Sequence, residues 1–182
     1  MENVKPCTDN LTPFPLMIVI SEANSTDFKT IREIAFKTWP DTYGSIISKD
    51  QLDYMLEKFY CDEALIDNFI NKNHHFLLAK ENENCIGFAS YEPDYSGNKI
   101  VRLHKIYLLP ETQGKGVGKL LITEIEKIAK KLNQNGISLN VNRFNKAFAF
   151  YIKMGFECIG EEDIELDYGY LMEDFKMLKK LR

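Results

Sequence analysis

Three closely spaced glycines mark the segment of this sequence that is best suited to bind an anion. They lie in Gln113-Gly114-Lys115-Gly116-Val117-Gly118, between a strand-like run that ends at Pro110 and an amphipathic helical run. Glycine permits positive φ and lets a ligand approach the backbone closely. The following helix offers free N–H groups and the positive end of its dipole. We therefore expect this segment to bind an anionic group such as a pyrophosphate.

Two familiar nucleotide-binding loops do not fit this segment. The glycine spacing and the antiparallel strands predicted before it differ from the Rossmann dinucleotide-binding pattern. No Gly-Lys-Ser or Gly-Lys-Thr closes the loop, so the Walker A pattern is also absent. A tight loop that serves chain geometry alone stays open as an alternative for the segment by itself.

Together with a second segment, the glycine run resembles the GNAT family of N-acetyltransferases. The family's acetyl-CoA-binding pattern is Gln/Arg-x-x-Gly-x-Gly/Ala, which Gln113, Gly116 and Gly118 match. Its second signature is matched by Asn145, by Tyr151 six residues later, and by Met154-Gly155-Phe156. The resemblance extends from about residue 16 to the C-terminus, and the opening third is similar to bacterial diamine and polyamine acetyltransferases.

The resemblance implies that acetyl-CoA is the cosubstrate. The glycine loop would bind its pyrophosphate, the exposed edge of the preceding strand would pair with the pantetheine arm, and the Leu108 N–H would polarise the thioester carbonyl. Asn145 resembles the family residue that hydrogen-bonds the pantetheine. No metal is expected. The predicted cofactor-binding residues are Ile106, Tyr107, Leu108, Gln113, Gly114, Lys115, Gly116, Val117, Gly118, Lys119, Asn145, Phe148 and Tyr151.

Tyr151 is the predicted general acid. The reference pKa values of a phenol, about 10, and a thiol, about 8.5, are close enough that we expect easy proton donation to the leaving sulfur. The alternative is an aromatic side chain that only packs, because Phe148 and Phe150 flank it in the sequence. We expect direct attack by the amine in a ternary complex, because Cys85 and Cys158 have no histidine placed to activate them.

The base that deprotonates the amine stays open. His104 is a candidate, because strand alternation would place it on the same face as Ile106 and Leu108. The alternatives are a packed histidine and a proton relay through water, and the relay is the default. His74 and His75 are expected at the surface, at the start of a strand.

The acceptor is predicted to be a primary amine, and a small diamine or polyamine in particular. Between residues 157 and 174 the chain has eight acidic residues and neither Lys nor Arg. Such a rim would attract a polycation, although it could equally be a solvated hairpin. Trp39, Asp41 and Tyr43 are predicted to line the acceptor pocket. A protein N-terminal or lysine acetyltransferase is the first alternative, and a non-catalytic acyl-CoA-binding sensor is the second.

The pattern of strands and helices, together with the family resemblance, predicts a mixed α/β fold. Its central sheet should be mixed but mostly antiparallel, with about seven strands and flanking helices. Three strands ending at Leu109 should form a meander, and the glycine loop and its helix should cross over to a parallel strand at residues 137–141. A first helix is expected to start at Ser25 or Thr26 and to break at Pro40. Ser48 and Gln51 predict a capping box for a second.

Composition bounds the remaining expectations. The 182 residues, 45% hydrophobic and 27% charged, suit one globular domain, predicted at 15–182 after a flexible tail at 1–14. The net charge of −4 gives no reason to expect nucleic acid or an anionic membrane as a partner. Four scattered cysteines indicate reduced thiols, with one disulfide as the alternative, and so a cytoplasmic protein. Exposed strand edges would permit a homodimer.

Overall fold

A single mixed sheet organises the computed structural model, which describes residues 17–112 and 114–181. The strands are β1 (Ile18–Glu22), β2 (His75–Glu81), β3 (Asn84–Glu92), β4 (Ile100–Leu108), β5 (Gly136–Asn142), β6 (Glu157–Glu165) and β7 (Leu171–Lys180). They follow the order β1-β2-β3-β4-β5-β7-β6. Only the β4–β5 pair is parallel among these strands. The predicted seven-stranded, mostly antiparallel sheet is thus confirmed, whereas the tail predicted at 1–14 lies outside the described residues.

Five α-helices flank this sheet in the described part of the chain. They are α1 (Phe28–Tyr43), α2 (Lys49–Tyr60), α3 (Asp62–Ile70), α4 (Val117–Lys131) and α5 (Ala147–Lys153). None of these helices combines the length and the apolar character that crossing a bilayer requires. The thiols of Cys61, Cys85 and Cys158 are free, and Cys7 lies outside the described residues.

The sheet separates two hydrophobic clusters. The α4-side cluster packs Leu121 and Ile125 of α4 against the sheet, together with Tyr151 of α5. The α1–α3-side cluster packs Ile31 and Trp39 of α1 against the opposite face. Each fully buried large apolar side chain contributes about 1.5–3 kcal/mol to folding. The two clusters pack on opposite faces of the sheet and so stabilise the positions of β4 and β5.

The ends of α1 differ from the sequence-based expectation. Asn24, one residue before the predicted positions, caps the helical turn that leads into α1, because its side chain accepts the Thr26 N–H at 2.9 Å. The predicted break at Pro40 is wrong, since α1 continues to Tyr43. A proline inside a helix removes one backbone donor, and here the helix continues past it, with the Pro40 carbonyl oxygen accepting the Gly44 N–H at 2.9 Å.

One of the two hydrogen bonds of the capping box predicted for α2 is confirmed. The Ser48 hydroxyl oxygen accepts the Gln51 N–H at 3.2 Å. The Gln51 side chain does not return to the cap as a capping box requires. It donates instead to the Leu171 carbonyl oxygen at 2.9 Å, which ties α2 to β7.

A β-bulge interrupts the alternation of β4. Tyr91 of β3 pairs with Leu103 and Ser90 pairs with Lys105, so His104 is an extra residue without a partner opposite. Leu103 before the bulge and Ile106 after it both pack in the α4-side cluster, although three positions separate them. The bulge therefore contradicts the prediction that His104 shares a face with Ile106 and Leu108.

Candidate active site

The strands β4 and β5 separate part of the way along their length. Their pairing extends only from Ile100–Gly136 to Leu103–Leu139. Beyond it, β4 stays paired with β3 up to Leu108, and β5 stays paired with β7 up to Asn142. A cavity of about 620 Å³ is lined by the diverging strands, by α1 and α2, and by Asn145 and Tyr151. The gap in the sheet therefore opens into this cavity.

The exposed edge of β4 presents backbone groups to this gap. The Leu109 N–H donates to the Ile86 carbonyl oxygen on β3 at 2.9 Å. Because successive N–H groups of a strand point to opposite sides, the Leu108 N–H faces the side where β5 has diverged. Ile106, Tyr107 and Leu108 all line the cavity. An extended chain with amide groups could pair with this edge, as the family resemblance implies for pantetheine.

The glycine loop has the conformation that its sequence predicts. Gly114 and Gly116 have φ of 82° and 74°, and a Cβ added to either would meet no atom within 4 Å. Gly118 has a different function, because a Cβ there would lie 3.1 Å from Phe150 Cζ. α4 starts at Val117 without a side-chain cap, so the N–H groups of Val117, Gly118 and Lys119 have no partner within the helix.

The two lysines of the loop are not equivalent. The Lys115 N–H donates to the Thr112 carbonyl oxygen at 3.2 Å, and the Lys115 ammonium group contacts Glu81 at 2.8 Å. Lys115 therefore offers an anion neither a free N–H nor an unpaired charge. Lys119 is exposed in the first turn of α4. Gln113 lies outside the described residues.

The second predicted motif lies at the start of α5. Asn145 Oδ1 accepts the Ala147 N–H at 2.8 Å, which fixes the side chain at the helix start, where it lines the cavity. Phe148 packs against Phe175 at 5.0 Å between ring centroids, and it is not among the described residues that line the cavity. Its predicted contact with the cofactor therefore has no support in this geometry.

Tyr151 is both a core residue and a cavity residue. Its side chain is 6% exposed, its ring contacts Phe150 and Phe156, and it lines the cavity. Burial raises the pKa of Tyr151 well above its ordinary value, and Tyr43 raises it further. The phenol is therefore protonated at neutral pH, as a general acid must be. It is also a weaker acid than the reference pKa suggests.

Aromatic side chains of α1 form one wall of the cavity. The Trp39 and Tyr43 rings lie 4.8 Å apart, and the Tyr43 and Tyr107 hydroxyl groups are 3.2 Å apart. Burial raises the pKa of Tyr43. Asp41 is exposed at the cavity lining. The structure thus brings Trp39, Asp41 and Tyr43 into one cavity with Tyr151.

Charged residues that sequence reasoning did not single out line the same cavity. Asp174 of β7 is 5% exposed, and burial raises its pKa to about 6 against the opposing effects of Asn140 and Arg102. Arg102 and Lys105 line the cavity from β4. Burial lowers the pKa of Lys105 to about 8, and its ammonium group lies 5.5 Å from the Tyr60 ring centroid.

Most acidic side chains of residues 157–174 do not line the cavity. Arg143 contacts Glu161 at 2.7 Å and Glu173 at 3.3 Å, and it also pairs with Asp163. Asp167 pairs with Lys58 at 2.7 Å, and Glu162 pairs with Lys176 at 3.7 Å. Of the eight acidic residues, Asp174 alone lines the cavity among the residues that the structure describes. The segment is thus largely a paired hairpin surface and not an acidic rim of this cavity.

His104 is held by a neighbouring carboxylate. Its Nε2 lies 2.9 Å from Glu92 Oε2, and its ring stacks on His74 at 3.9 Å. Burial lowers the pKa of His104, which disfavours its use as a base, although the residue lines the cavity. His74 is 7% exposed, which contradicts its predicted surface position, whereas His75 is exposed as expected.

Comparisons with known proteins agree with this geometry. The sequence model of the acetyltransferase (GNAT) family matches residues 28–156. A spermidine N(1)-acetyltransferase of Thermoplasma acidophilum is 33% identical over 147 residues, which are 78% of this chain and 89% of that protein. The crystal structure of the PaiA N-acetyltransferase of T. acidophilum with coenzyme A superposes with a TM-score of 0.75 at 30% identity, covering 91% of this chain and 99% of that one.

A more distant relative is named for a peptide acceptor. The peptidyl-lysine N-acetyltransferase YjaB of Salmonella typhimurium is 24% identical over 104 residues, which are 57% of this chain and 63% of that protein. These relatives share the reaction class and differ in acceptor.

Proposed function

The chain belongs to the GNAT family of acetyltransferases, and from that premise we propose that it acetylates a primary amine of a small molecule, a diamine or polyamine in particular. The observation that supports this most is the cavity between β4 and β5, whose lining includes the buried titratable groups Tyr151 and Asp174. A proton donor and a proton acceptor within one cavity are what amine acetylation requires.

We propose that acetyl-CoA binds along the gap in the sheet. Its pyrophosphate would accept hydrogen bonds from the first turn of α4, where Gly114 and Gly116 let it approach the backbone. The pantetheine would pair with the edge at Ile106–Leu108, and Asn145 would contact its amides. The Leu108 N–H, on the side where β5 has diverged, would donate to the thioester oxygen as negative charge develops there.

The acceptor amine would attack the thioester directly. It arrives protonated, because a primary amine has a pKa of about 10.4. We propose that Asp174 accepts this proton, directly or through water, since its pKa of about 6 leaves it ionised at neutral pH. The nitrogen then bonds to the carbonyl carbon, the carbon–sulfur bond breaks, and Tyr151 donates its proton to the departing thiolate. The nitrogen of the new amide then releases one of its two protons to solvent, and solvent returns a proton to the Tyr151 phenolate.

A covalent intermediate on cysteine has no support in the site. Burial raises the pKa of the Cys85 thiol, which reduces its thiolate fraction. Cys61 and Cys158 are absent from the described residues that line the cavity. An acetylated cysteine trapped by mass spectrometry during turnover would contradict direct attack.

The spermidine-acetylating relative supports the small acceptor. Residues of α1 and α2 line the cavity opposite the strands, so the proposed acceptor would lie between these helices and the sheet. The charge of the lining does not by itself select a polycation, because Arg102, Lys105 and Lys146 accompany Asp41 and Asp174. A polyamine would therefore place its distal ammonium group toward the exposed Asp41. The free thiols of the described cysteines are consistent with the further proposal of a cytoplasmic protein.

Thiol release from acetyl-CoA tests this function. The acceptors compared are spermidine, spermine, short diamines, short basic peptides and an amine that carries a carboxylate. We expect turnover with the diamines or polyamines. Activity confined to peptides would support a protein acetyltransferase instead, and acetyl-CoA binding without turnover on any acceptor would support a sensor.

A further inference from the structure

Two histidines and a glutamate converge at the bulged end of the meander. Nε2 of His104 lies 2.9 Å from Glu92 Oε2, and Nε2 of His74 lies 3.7 Å from the same oxygen. One donor atom from each residue lies within 4.8 Å of the other two. The three residues come from the bulge of β4, the end of β3 and the residue before β2. No short sequence motif connects them, since thirty residues separate the two histidines.

The spacing of these donors is close to that of a zinc site. Zinc binds imidazole nitrogen at about 2.0–2.1 Å and carboxylate oxygen at about 2.0–2.2 Å. Two such ligands at a tetrahedral angle lie about 3.3 Å apart. The observed nitrogen-to-oxygen distances of 2.9 and 3.7 Å lie on either side of that value. Side-chain rotations that separate the two stacked rings would bring both histidines into range of one ion.

The surroundings provide further features of such a site. The side chains are 7% (His74), 21% (His104) and 22% (Glu92) exposed, so the cluster is largely shielded from solvent, and His104 also lines the cavity. Ser90 Oγ lies 3.5 Å from His74 Nδ1 and can orient this ring.

We propose that His74, Glu92 and His104 form a binding site for a divalent transition metal, with Zn²⁺ as the favoured ion. Two imidazoles and one carboxylate are a ligand set that zinc accepts, with water in the fourth position. The ion would link the start of β2 to β3 and β4 at the bulge. Its function would be structural, because Tyr151 and Asp174 supply the proposed acid and base without it.

Two features of the cluster limit its affinity. The histidine rings are stacked with an interplanar angle of 17° and must open for both lone pairs to reach one ion. Lys72 and Lys105 contribute to the low pKa of His74, and the same positive field opposes a dication. We therefore expect weaker binding than at a closed four-ligand zinc site.

Zinc titration of the full chain, freed of any affinity tag and stripped with chelator, tests this site. Isothermal titration gives the stoichiometry, and Co²⁺ substitution gives a visible spectrum that reports nitrogen and oxygen ligands. The variants are His104→Gln and Glu92→Gln. The matched control is His75→Gln, which removes the exposed neighbouring imidazole that contacts Asn73 at 3.2 Å. Circular dichroism checks the fold of each variant.

We expect one Zn²⁺ per chain, and a rise in the thermal midpoint when zinc is added. His104→Gln and Glu92→Gln should each lower the affinity for Zn²⁺ at least about tenfold. Even substitutions of residues that only hydrogen-bond to metal ligands cause a loss of this size. His75→Gln should bind as the unchanged chain does. Absence of saturable binding, or equal affinity in His104→Gln and His75→Gln, would overturn the site.

Discussion

Tyr151 can be tested without disturbing the core. Tyr151→Phe keeps the ring that contacts Phe150 and Phe156 and removes only the hydroxyl group. We expect kcat to fall by about 10²–10⁴, the range for loss of a general acid, with little change in acetyl-CoA affinity. Steady-state thiol release and calorimetric binding of acetyl-CoA separate the two effects. An unchanged kcat would exclude Tyr151 as the acid.

Asp174 should control the acidic side of the pH profile. Because burial raises its pKa to about 6, the ionised base is lost as the pH falls through that value. We expect kcat/KM of the unchanged enzyme to decline below about pH 6. Asp174→Asn should lower kcat/KM by about 10²–10⁴ at pH 7.5 and remove this decline. A variant that keeps the same acidic limb would show that another group titrates.

The same substitution should not reduce stability. The pKa of Asp174 is about 6 in the folded protein, above the 3.8 of a free aspartate. The folded state thus binds the proton more tightly, so stability falls as the pH rises from about 4 to 6 and stays lower above. Asp174→Asn removes a cost of up to about 3 kcal/mol at neutral pH. Urea unfolding at pH 5 and pH 7.5 measures this, and a less stable variant at pH 7.5 would contradict it.

Individual site residues were predictable to different degrees. The motif residues Asn145 and Tyr151 lie in the cavity as expected, because short local segments fix their positions. The predicted surface position of His74 and the predicted sheet face of His104 were wrong, because the surroundings of both residues come from chain segments far away in the sequence. Asp174 belongs to an acidic run in the sequence, and only the pairing of β7 with β5 and β6 shows that it is the member turned into the cavity.

The glycine loop provides a prediction at the scale of an element. Gly116→Ala should destabilise the fold by about 1–2 kcal/mol, the cost of positive φ for an L-residue. It should also raise KM for acetyl-CoA about five- to tenfold, because the new methyl group lies where the backbone should approach the pyrophosphate.

Gly97→Ala is the matched control for the loop. Gly97 has φ of 69° and open space around its Cβ position, in the connection between β3 and β4. It should lose similar stability and keep the KM of the unchanged enzyme. Thermal unfolding and steady-state kinetics of both variants measure this. Equal KM values in the two variants would mean that the loop does not contact the cofactor.

The elements themselves followed largely from the sequence. Hydrophobic periodicity and turn residues predicted the meander, the crossover helix and the parallel strand, because these signals are local. The β4 bulge and the continuation of α1 through Pro40 were missed. Both features depend on residues that are distant in the sequence. The register of β3 determines the bulge, and packing of Trp39 in the α1–α3-side cluster favours the continuation of α1.

At the scale of the whole molecule, α2 joins the two halves of the sheet around the cavity. Gln51 reaches the Leu171 carbonyl oxygen of β7, and Lys58 reaches Asp167 in the turn between β6 and β7. Gln51, Met55 and Phe59 of α2 line the cavity directly. The glycine loop lies at the start of α4 instead. Enclosure of the acceptor and binding of the cofactor should therefore be separable.

Gln51→Ala tests this separation. It removes the 2.9 Å hydrogen bond to β7, which should cost about 1 kcal/mol of stability. KM for the amine should rise and KM for acetyl-CoA should stay constant, because only the acceptor wall is loosened. Lys49→Ala is the control, since Lys49 pairs with Asp53 within α2 and is exposed, so it should leave stability nearly unchanged. A parallel rise of both KM values in Gln51→Ala would mean that α2 positions the cofactor as well.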